Sequence, residues 1–272
     1  MEPISAPARR GALPEGLSEA IRGTAAEIAA QLRGRADTDG PVPGSEWTVG
    51  EAAAHLAQAN QLMADIAAGQ GRSHGDGTPQ SLAAANEVAL AQFGQRAAEP
   101  LAEMIVAQAD AFLRAVDLRS PEDTVDTPLG AMDLATFGSY LLTHMLGHGY
   151  DLARAVGGAH MLDRKRVELS MPFMMATMPN VVAGAAAGLT ARFAVRLWGT
   201  AAFGVIFTNG EVTISSRPIT RPDCTILIEP VTFLLIALGR CDPWGAIARG
   251  RVLTWGRKPW LAPRFPTFFT AP

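Results

Sequence analysis

Through most of the first half of the chain, apolar residues recur at the spacing of an α-helix. Between Glu15 and Arg33, the positions Leu17, Ile21, Ala25, Ile28 and Leu32 share one face, which predicts a helix ending before the turn-forming run Asp37 to Gly44. Thr48-Val49-Gly50-Glu51 has the form of a capping box: the threonine hydroxyl serves the glutamate backbone and the glutamate reaches back. A second helix is therefore expected as far as about Ala68. The glycine-rich stretch Gly69 to Pro79 predicts a loop, of the kind that lines a site over a helical bundle. Helical patterns return at about Ser81 to Arg96 and Pro100 to Leu118, and polar residues from Ser120 to Thr127 interrupt them. A long helix from about Asp133 to Val156 closes this half, stopped by Gly157-Gly158, where glycine readily takes up the left-handed cap conformation.

The second half has a different rhythm. Arg192 to Trp198 and Ala202 to Thr208 are short runs rich in aromatic and β-branched residues, and Asn209-Gly210 is a strong hairpin signal. Val212 to Ser215, Thr225 to Ile228 and Arg251 to Trp255 add strands, while Val231 to Leu238 and Pro243 to Arg249 read as helices before a Pro- and Phe-rich tail from Trp260. The pattern predicts an α+β chain in two domains, a helical bundle over 1–160 and a small α+β domain over 161–272, joined near Gly157 to Asp163. Leu169 to Ala191 is uncharged and long enough to span a bilayer. However, Pro172, Pro179, Asn180 and its many small residues favour a buried helix at the domain junction over a membrane span.

Composition narrows the function classes. With 272 residues, 48% of them hydrophobic, the chain can bury its own core without staples. A net charge of −3, with its 23 Lys and Arg scattered, gives no footprint for nucleic acid. The two cysteines, Cys224 and Cys241, lie in unlike contexts, which points to a reducing compartment and away from thiolate ligation of a metal. Met1 to Pro14 has no apolar stretch, so a secretory signal is not expected and a cytoplasmic location is.

Five histidines occur, at 55, 74, 144, 148 and 160. His144 and His148 are one turn apart on the expected long helix, so their imidazoles face the same way and can share an ion. His55 sits on the capped second helix beside positions that turn inward, and a third imidazole pointing into the bundle would complete a three-nitrogen site. On residues alone, the alternatives of a hydrogen-bonded core histidine and a solvated histidine face stay open.

The strings Trp47-Thr48-Val49-Gly50-Glu51-Ala52-Ala53-Ala54-His55-Leu56-Ala57 and His144-Met145-Leu146-Gly147-His148-Gly149-Tyr150-Asp151-Leu152-Ala153 resemble the DinB-like superfamily, and within it the actinobacterial mycothiol-dependent maleylpyruvate isomerase relatives. Pro230 to Arg240, continuing to Arg249-Gly250-Arg251-Val252, is similar to the sterol-carrier-like domain that follows the bundle in that family. The resemblance implies a DinB-like four-helix bundle holding a divalent metal, commonly zinc, and a sterol-carrier-like α+β domain. It implies His55 and His148 as ligands. His144 departs from the isomerase-type members, which usually carry glutamate there, and matches branches that use three histidines. A neutral three-histidine set leaves the ion its full charge and favours an anionic fourth ligand.

The implied chemistry uses an external low-molecular-weight thiol, mycothiol or a similar one. Bound to the metal, it loses its proton and attacks an electrophilic small molecule, either to isomerise a cis double bond or to remain as an S-conjugate. Asp151, three residues after His148, is a candidate for orienting its imidazole, with capping or pairing to Arg154 as the plainer role. Arg72, Arg240 and Arg251 are candidates for binding an acidic substrate or the thiol cofactor, each with an ordinary surface charge as its alternative. Trp47 is expected to staple the helix entry, Tyr150 to lie at an interface, and His74 and His160 to be exposed. Partners are then a small molecule and a thiol, without nucleic acid or membrane, in a monomer or homodimer working in a cleft between the domains. Competing readings are a non-enzymatic binder of an apolar molecule with a structural metal, and a metal-hydroxide hydrolase.

Overall fold

The computed structural model describes residues 13–71, 74, 79–199, 201–217 and 219–270. Its contacts separate two compact units: one holds residues up to 77 and Ala84–Met161, the other Leu162 onward with residues 78–83. Among the described residues no helix is long and apolar enough to cross a membrane.

The first unit is a helical bundle. Helix α1 (Leu17–Leu32), α2 (Val49–Ala67), α4 (Ala98–Asp117) and α5 (Leu134–Val156) pack on one another, and the shorter α3 (Pro79–Gln92) precedes α4. The apolar stripe of α1 is buried as its spacing requires: Leu17, Ile21, Ile28 and Leu32 are fully enclosed. Phe112 of α4 meets Phe137 of α5 edge to face at 5.4 Å between ring centres. Two glycines let α5 approach α1 closely. A Cβ on Gly149 would sit 2.9 Å from Ile28 Cδ1 and 2.8 Å from Met161 Sδ, and one on Gly138 would sit 3.1 Å from Leu17 Cδ2.

Three details differ from the sequence expectation. Helix α3 starts at Pro79, inside the expected loop, and stops at Gln92, short of Arg96. The Arg96 side chain folds back to donate to the carbonyls of Gln95 (2.8 Å) and Leu90 (3.0 Å), so a residue that looked helical closes the helix instead. The polar break before α5 holds a hairpin, β1 (Thr124–Thr127) and β2 (Gly130–Asp133), whose turn is fixed by Thr127 Oγ1 donating to Gly130 O at 2.7 Å. Leu169 to Ala191 is not one helix: α6 (Arg164–Thr177) ends before Pro179, and 3-10 turns follow at Met178–Val181 and Gly184–Ala186. Asp163 caps α6 by accepting from Arg166 N at 2.9 Å, a start signal upstream of the apolar run.

The second unit is built on a five-stranded sheet in the order β5-β4-β3-β6-β7, with β3 (Ala191–Leu197), β4 (Ala202–Thr208), β5 (Glu211–Ser215), β6 (Cys224–Ile228) and β7 (Val252–Gly256). The pair β3–β6 is parallel and the other pairs are antiparallel. The β4–β5 turn is Asn209-Gly210, both at positive φ, as this hairpin type demands. Helices α7 (Pro230–Ala237) and α8 (Pro243–Ala248) link β6 to β7. The phenylalanine-rich tail completes the core, with Phe265 4.9 Å from Phe193 and Phe268 5.5 Å from Phe207 between ring centres.

Candidate metal centre

Local sequence fixes where the histidines stand. The capping box of α2 forms: Thr48 Oγ1 accepts from Glu51 N at 3.2 Å, and Glu51 Oε2 accepts from Thr48 N at 2.8 Å. This sets the start of α2 and so the face on which His55 lies. Helix α5 is capped at its start by Asp133, whose Oδ1 accepts from Thr136 N at 2.7 Å, and at its end by Gly157 with φ 68°. Between those caps His144 and His148 stand one turn apart, their ring centres separated by 4.6 Å.

The three imidazoles meet. Ring centres of His55 lie 5.2 Å from His144 and 4.8 Å from His148, and one ring nitrogen of each lies within 4.8 Å of the others. His55 Nε2 and His144 Nε2 are 3.2 Å apart. Two nitrogens this close either share a proton or face a common cation. A tetrahedral zinc with bonds of 2.0–2.1 Å spaces its ligand nitrogens roughly 3.3 Å apart, so the His55–His144 spacing fits an ion without rearrangement. His55 is ready for either role, because burial, with electrostatic repulsion from the nearby His74 as a smaller cause, lowers its pKa to about 4 and keeps it neutral at pH 7. Among the described residues no carboxylate joins the trio, so the donor set is three imidazole nitrogens, which suits zinc and similar borderline ions and not calcium or magnesium.

The surroundings sort the remaining candidates. Asp151 Oδ2 lies 4.0 Å from His148 Nδ1, beyond hydrogen-bond length, so the carboxylate stands next to the ring that the sequence expected it to orient. Trp47 does more than staple the helix entry: its ring centre is 4.8 Å from that of His55 and 5.9 Å from that of His148. A staple residue normally meets the fourth helical position, whereas this indole reaches the seventh and lies against two imidazoles. Tyr140, one turn before His144, stands edge-on to that ring at 6.5 Å, and burial pushes its hydroxyl pKa well up, so it stays protonated. Tyr140 went unnoticed in the sequence, although Tyr140, His144 and His148 form a series at four-residue spacing. Tyr150, by contrast, sits against His160 (5.7 Å) and under the Arg154 guanidinium (5.8 Å), and His160 is exposed.

His74, expected to be exposed, is half-buried, with Nε2 2.8 Å from Asn86 Oδ1. Asn86 stands on α3, and together with His55 and His74 it lines a small cavity of about 170 Å³. Arg72 lies outside the described residues. Arg240 and Arg251 belong to the second unit. Arg240 donates to Leu238 O and borders an apolar cavity of about 590 Å³ enclosed by that unit, and Arg251 is exposed beside Glu229. Burial alone would raise the Glu229 carboxyl, but hydrogen bonds from Thr232 and Val231 and the Arg251 charge outweigh it and hold the group below its usual range. Of the two thiols, Cys224 is buried and its pKa is raised by that burial, while Cys241 lines the apolar cavity.

A helical bundle that gathers three histidines from two of its helices, followed in the same chain by an α+β unit, is the architecture of a DinB-like protein. The profile of the mycothiol maleylpyruvate isomerase N-terminal domain matches residues 18–153, half of the sequence, and the chain belongs to that family. Among the crystal structures that resemble this chain are two that cover most of it. One is of the mycothiol-dependent maleylpyruvate isomerase (15% identity, TM-score 0.50, over 84% of this chain and 90% of that one). The other is of a histidine-to-alanine variant of such an enzyme (14% identity, TM-score 0.54, 89% and 93%). Identities this low speak for the fold alone. No curated protein matches the sequence.

Proposed function

We propose that this protein is a metal-dependent enzyme that uses a low-molecular-weight thiol of the mycothiol type on an electrophilic small molecule, as a cis-trans isomerase or a thiol S-transferase. The observation that carries the reading is the convergence of His55, His144 and His148 in the bundle of a chain from this family. A divalent ion held there, most simply zinc, would keep its full charge and lower the pKa of a thiol that reaches it. The chain's own residues have separable tasks. His55 is neutral and buried, Asp151 places a carboxylate beside His148, and Trp47 packs against the rings of both histidines. The buried Cys224 has a raised pKa and is no nucleophile, in keeping with a thiol brought from outside, which persists as a free thiol in a reducing cytoplasm.

Glutamate in the isomerase-type members gives way to His144 here. This removes one negative charge from the ion's surroundings and strengthens its pull on an anionic ligand, so the site is retuned and not lost. We take Arg72, Arg240 and Arg251 forward as residues for an acidic substrate or cofactor, and the second unit as sterol-carrier-like. Turnover of cis-enedioate and other conjugated electrophiles, with and without mycothiol, tests the proposal. Turnover only when thiol and metal are both present is the expected result. Cleavage of an ester or amide with metal but no thiol would identify a metal-hydroxide hydrolase instead. A second reading, an apolar-ligand binder, is favoured by the 590 Å³ cavity walled by Phe173, Val195, Ile226, Phe233 and Phe265. Organic extraction that recovers a stoichiometric apolar molecule from a protein inert toward every thiol–electrophile pair would favour it.

A further inference from the structure

The second unit carries a charge and a surface that the proposed chemistry does not use. From residue 162 onward there are thirteen Lys and Arg against six Asp and Glu, a net charge of +7 in a chain whose total is −3. Five of those cations, Arg249, Arg251, Arg257, Lys258 and Arg264, fall between Pro243 and Pro272, a stretch with no acidic residue. The same stretch holds four of the six large apolar side chains that are exposed among the described residues. They are Trp244, Leu253, Trp255 and Trp260, between 46% and 65% exposed.

Strand β7 and its flanks gather these groups. Register sets Leu253 opposite Leu227 and Trp255 opposite Thr225, so both point to the face of the sheet away from Val252, Ile226 and Ile228, which line the apolar cavity. The strand is the outer one of its sheet. Arg251 and Arg257 bracket it, Trp244 stands on α8 just before it, and Trp260 lies in the 3-10 turn Pro259–Leu261 just after it. Three acids are close to these cations. Glu229 and Asp242 accept from the backbone N–H groups of the helices they cap, and Asp223 is shared between Arg257 and Lys258 at 3.9 Å. The five cations exceed them.

Tryptophan and leucine in the open, flanked by arginine and lysine, suit a bilayer–water boundary, where the apolar atoms leave water and the cations meet phosphate. A nucleic acid would meet the cations but offers Leu253 no hydrocarbon to enter. A second copy of the chain is the other natural occupant of an edge strand. Antiparallel pairing of two β7 strands about Thr254 would set Arg251 opposite Arg257, like charges at cross-strand distance.

We propose that the β7 margin of the second unit is a docking surface for anionic phospholipid bilayers, with Trp244, Leu253, Trp255 and Trp260 entering the interfacial layer and the flanking cations meeting the headgroups. Such a contact is peripheral and needs no spanning helix, so the expectation of no membrane partner, which concerned a spanning segment, does not extend to it. It is independent of the thiol-dependent reading of the histidine centre. Pro243, Ile247 and Val252, chain neighbours of the exposed residues, wall the 590 Å³ cavity, so docking holds that cavity next to the bilayer.

Co-sedimentation of the full chain with phosphatidylcholine vesicles, with and without phosphatidylglycerol, tests it. Wild-type protein is expected to bind only the anionic vesicles, less tightly as salt rises, with its tryptophan emission shifted to the blue. Arg257→Gln with Lys258→Gln should lower the partition coefficient roughly 30-fold, the loss of two cations at an anionic surface. Leu253→Ser with Trp255→Ser should lower it about 10-fold or more, because less apolar area leaves water. Both double variants should keep the wild-type far-UV spectrum and thermal midpoint. Wild-type protein that ignores anionic vesicles, or double variants that bind them as the wild type does, would overturn the proposal. So would a wild-type dimer that Leu253→Ser with Trp255→Ser renders monomeric, or binding of an oligonucleotide that anionic vesicles do not displace.

Discussion

Replacing His55 by leucine should remove a specific pH dependence from the stability of the metal-free protein. Folded His55 holds its pKa at about 4 because burial, helped by His74, penalises the imidazolium, whereas in the unfolded chain it returns to about 6.5. As pH falls below 6.5, the unfolded chain takes up a proton that the folded one refuses until about pH 4. Stability is therefore level above that window and declines through it. The interval between the two values amounts to about 3 kcal/mol, a large share of the stability of a typical domain. The assay is urea unfolding of chelator-treated wild-type protein and His55→Leu at several pH values from 7 to 4. Carboxylates common to both proteins cancel in the difference. The gap in unfolding free energy should change by about 3 kcal/mol across the window, the wild type losing more. Parallel profiles would refute the claim that a buried, neutral His55 is part of the fold.

Other expectations concern residues around the centre. Trp47→Ala should loosen the His55 and His148 rings and weaken metal binding by about 10- to 100-fold in competition with a chelator, while Trp47→Phe retains most of it. An unchanged affinity would reduce Trp47 to a helix staple. Thr48→Ala breaks one half of the capping box and should cost about 1 kcal/mol in urea unfolding. Gly149→Ala drives a methyl to within 2.9 Å of Ile28 Cδ1. The overpacking, about 1–3 kcal/mol, should outweigh the roughly 1 kcal/mol gained in helix propensity, so thermal stability falls. A variant as stable as wild type would show that Ile28 and Met161 give way.

Much of the fold follows from short-range signals that tertiary packing has no reason to override. The Thr48–Glu51 box, the α1 stripe, the Gly157 stop and the Asn209-Gly210 turn each encode their own geometry, and each appears in the structure. Side chains that bond backbone a few residues away leave no mark on the apolar pattern. Arg96 ends α3 by reaching back to carbonyls, and the Thr127 hydroxyl pins a hairpin in a stretch that reads only as polar. In Leu169 to Ala191, uniform small apolar residues hide the breaks at Pro179 and Gly184. At the site, the one-turn spacing of His144 and His148 is legible because a single helix fixes it. The arrival of His55, Trp47 and His74 at the same place depends on how α2, α3 and α5 are brought together, which no local pattern encodes.

Metal stoichiometry of the purified protein, compared with a variant carrying leucine at 55, 144 and 148, tests the account most directly. Elemental analysis after dialysis should find about one divalent ion per wild-type chain and none in a folded triple variant, with cobalt-substituted wild type showing the strong visible absorption of a four-coordinate site. A wild type that binds no ion, or a triple variant that keeps a full equivalent, would contradict it.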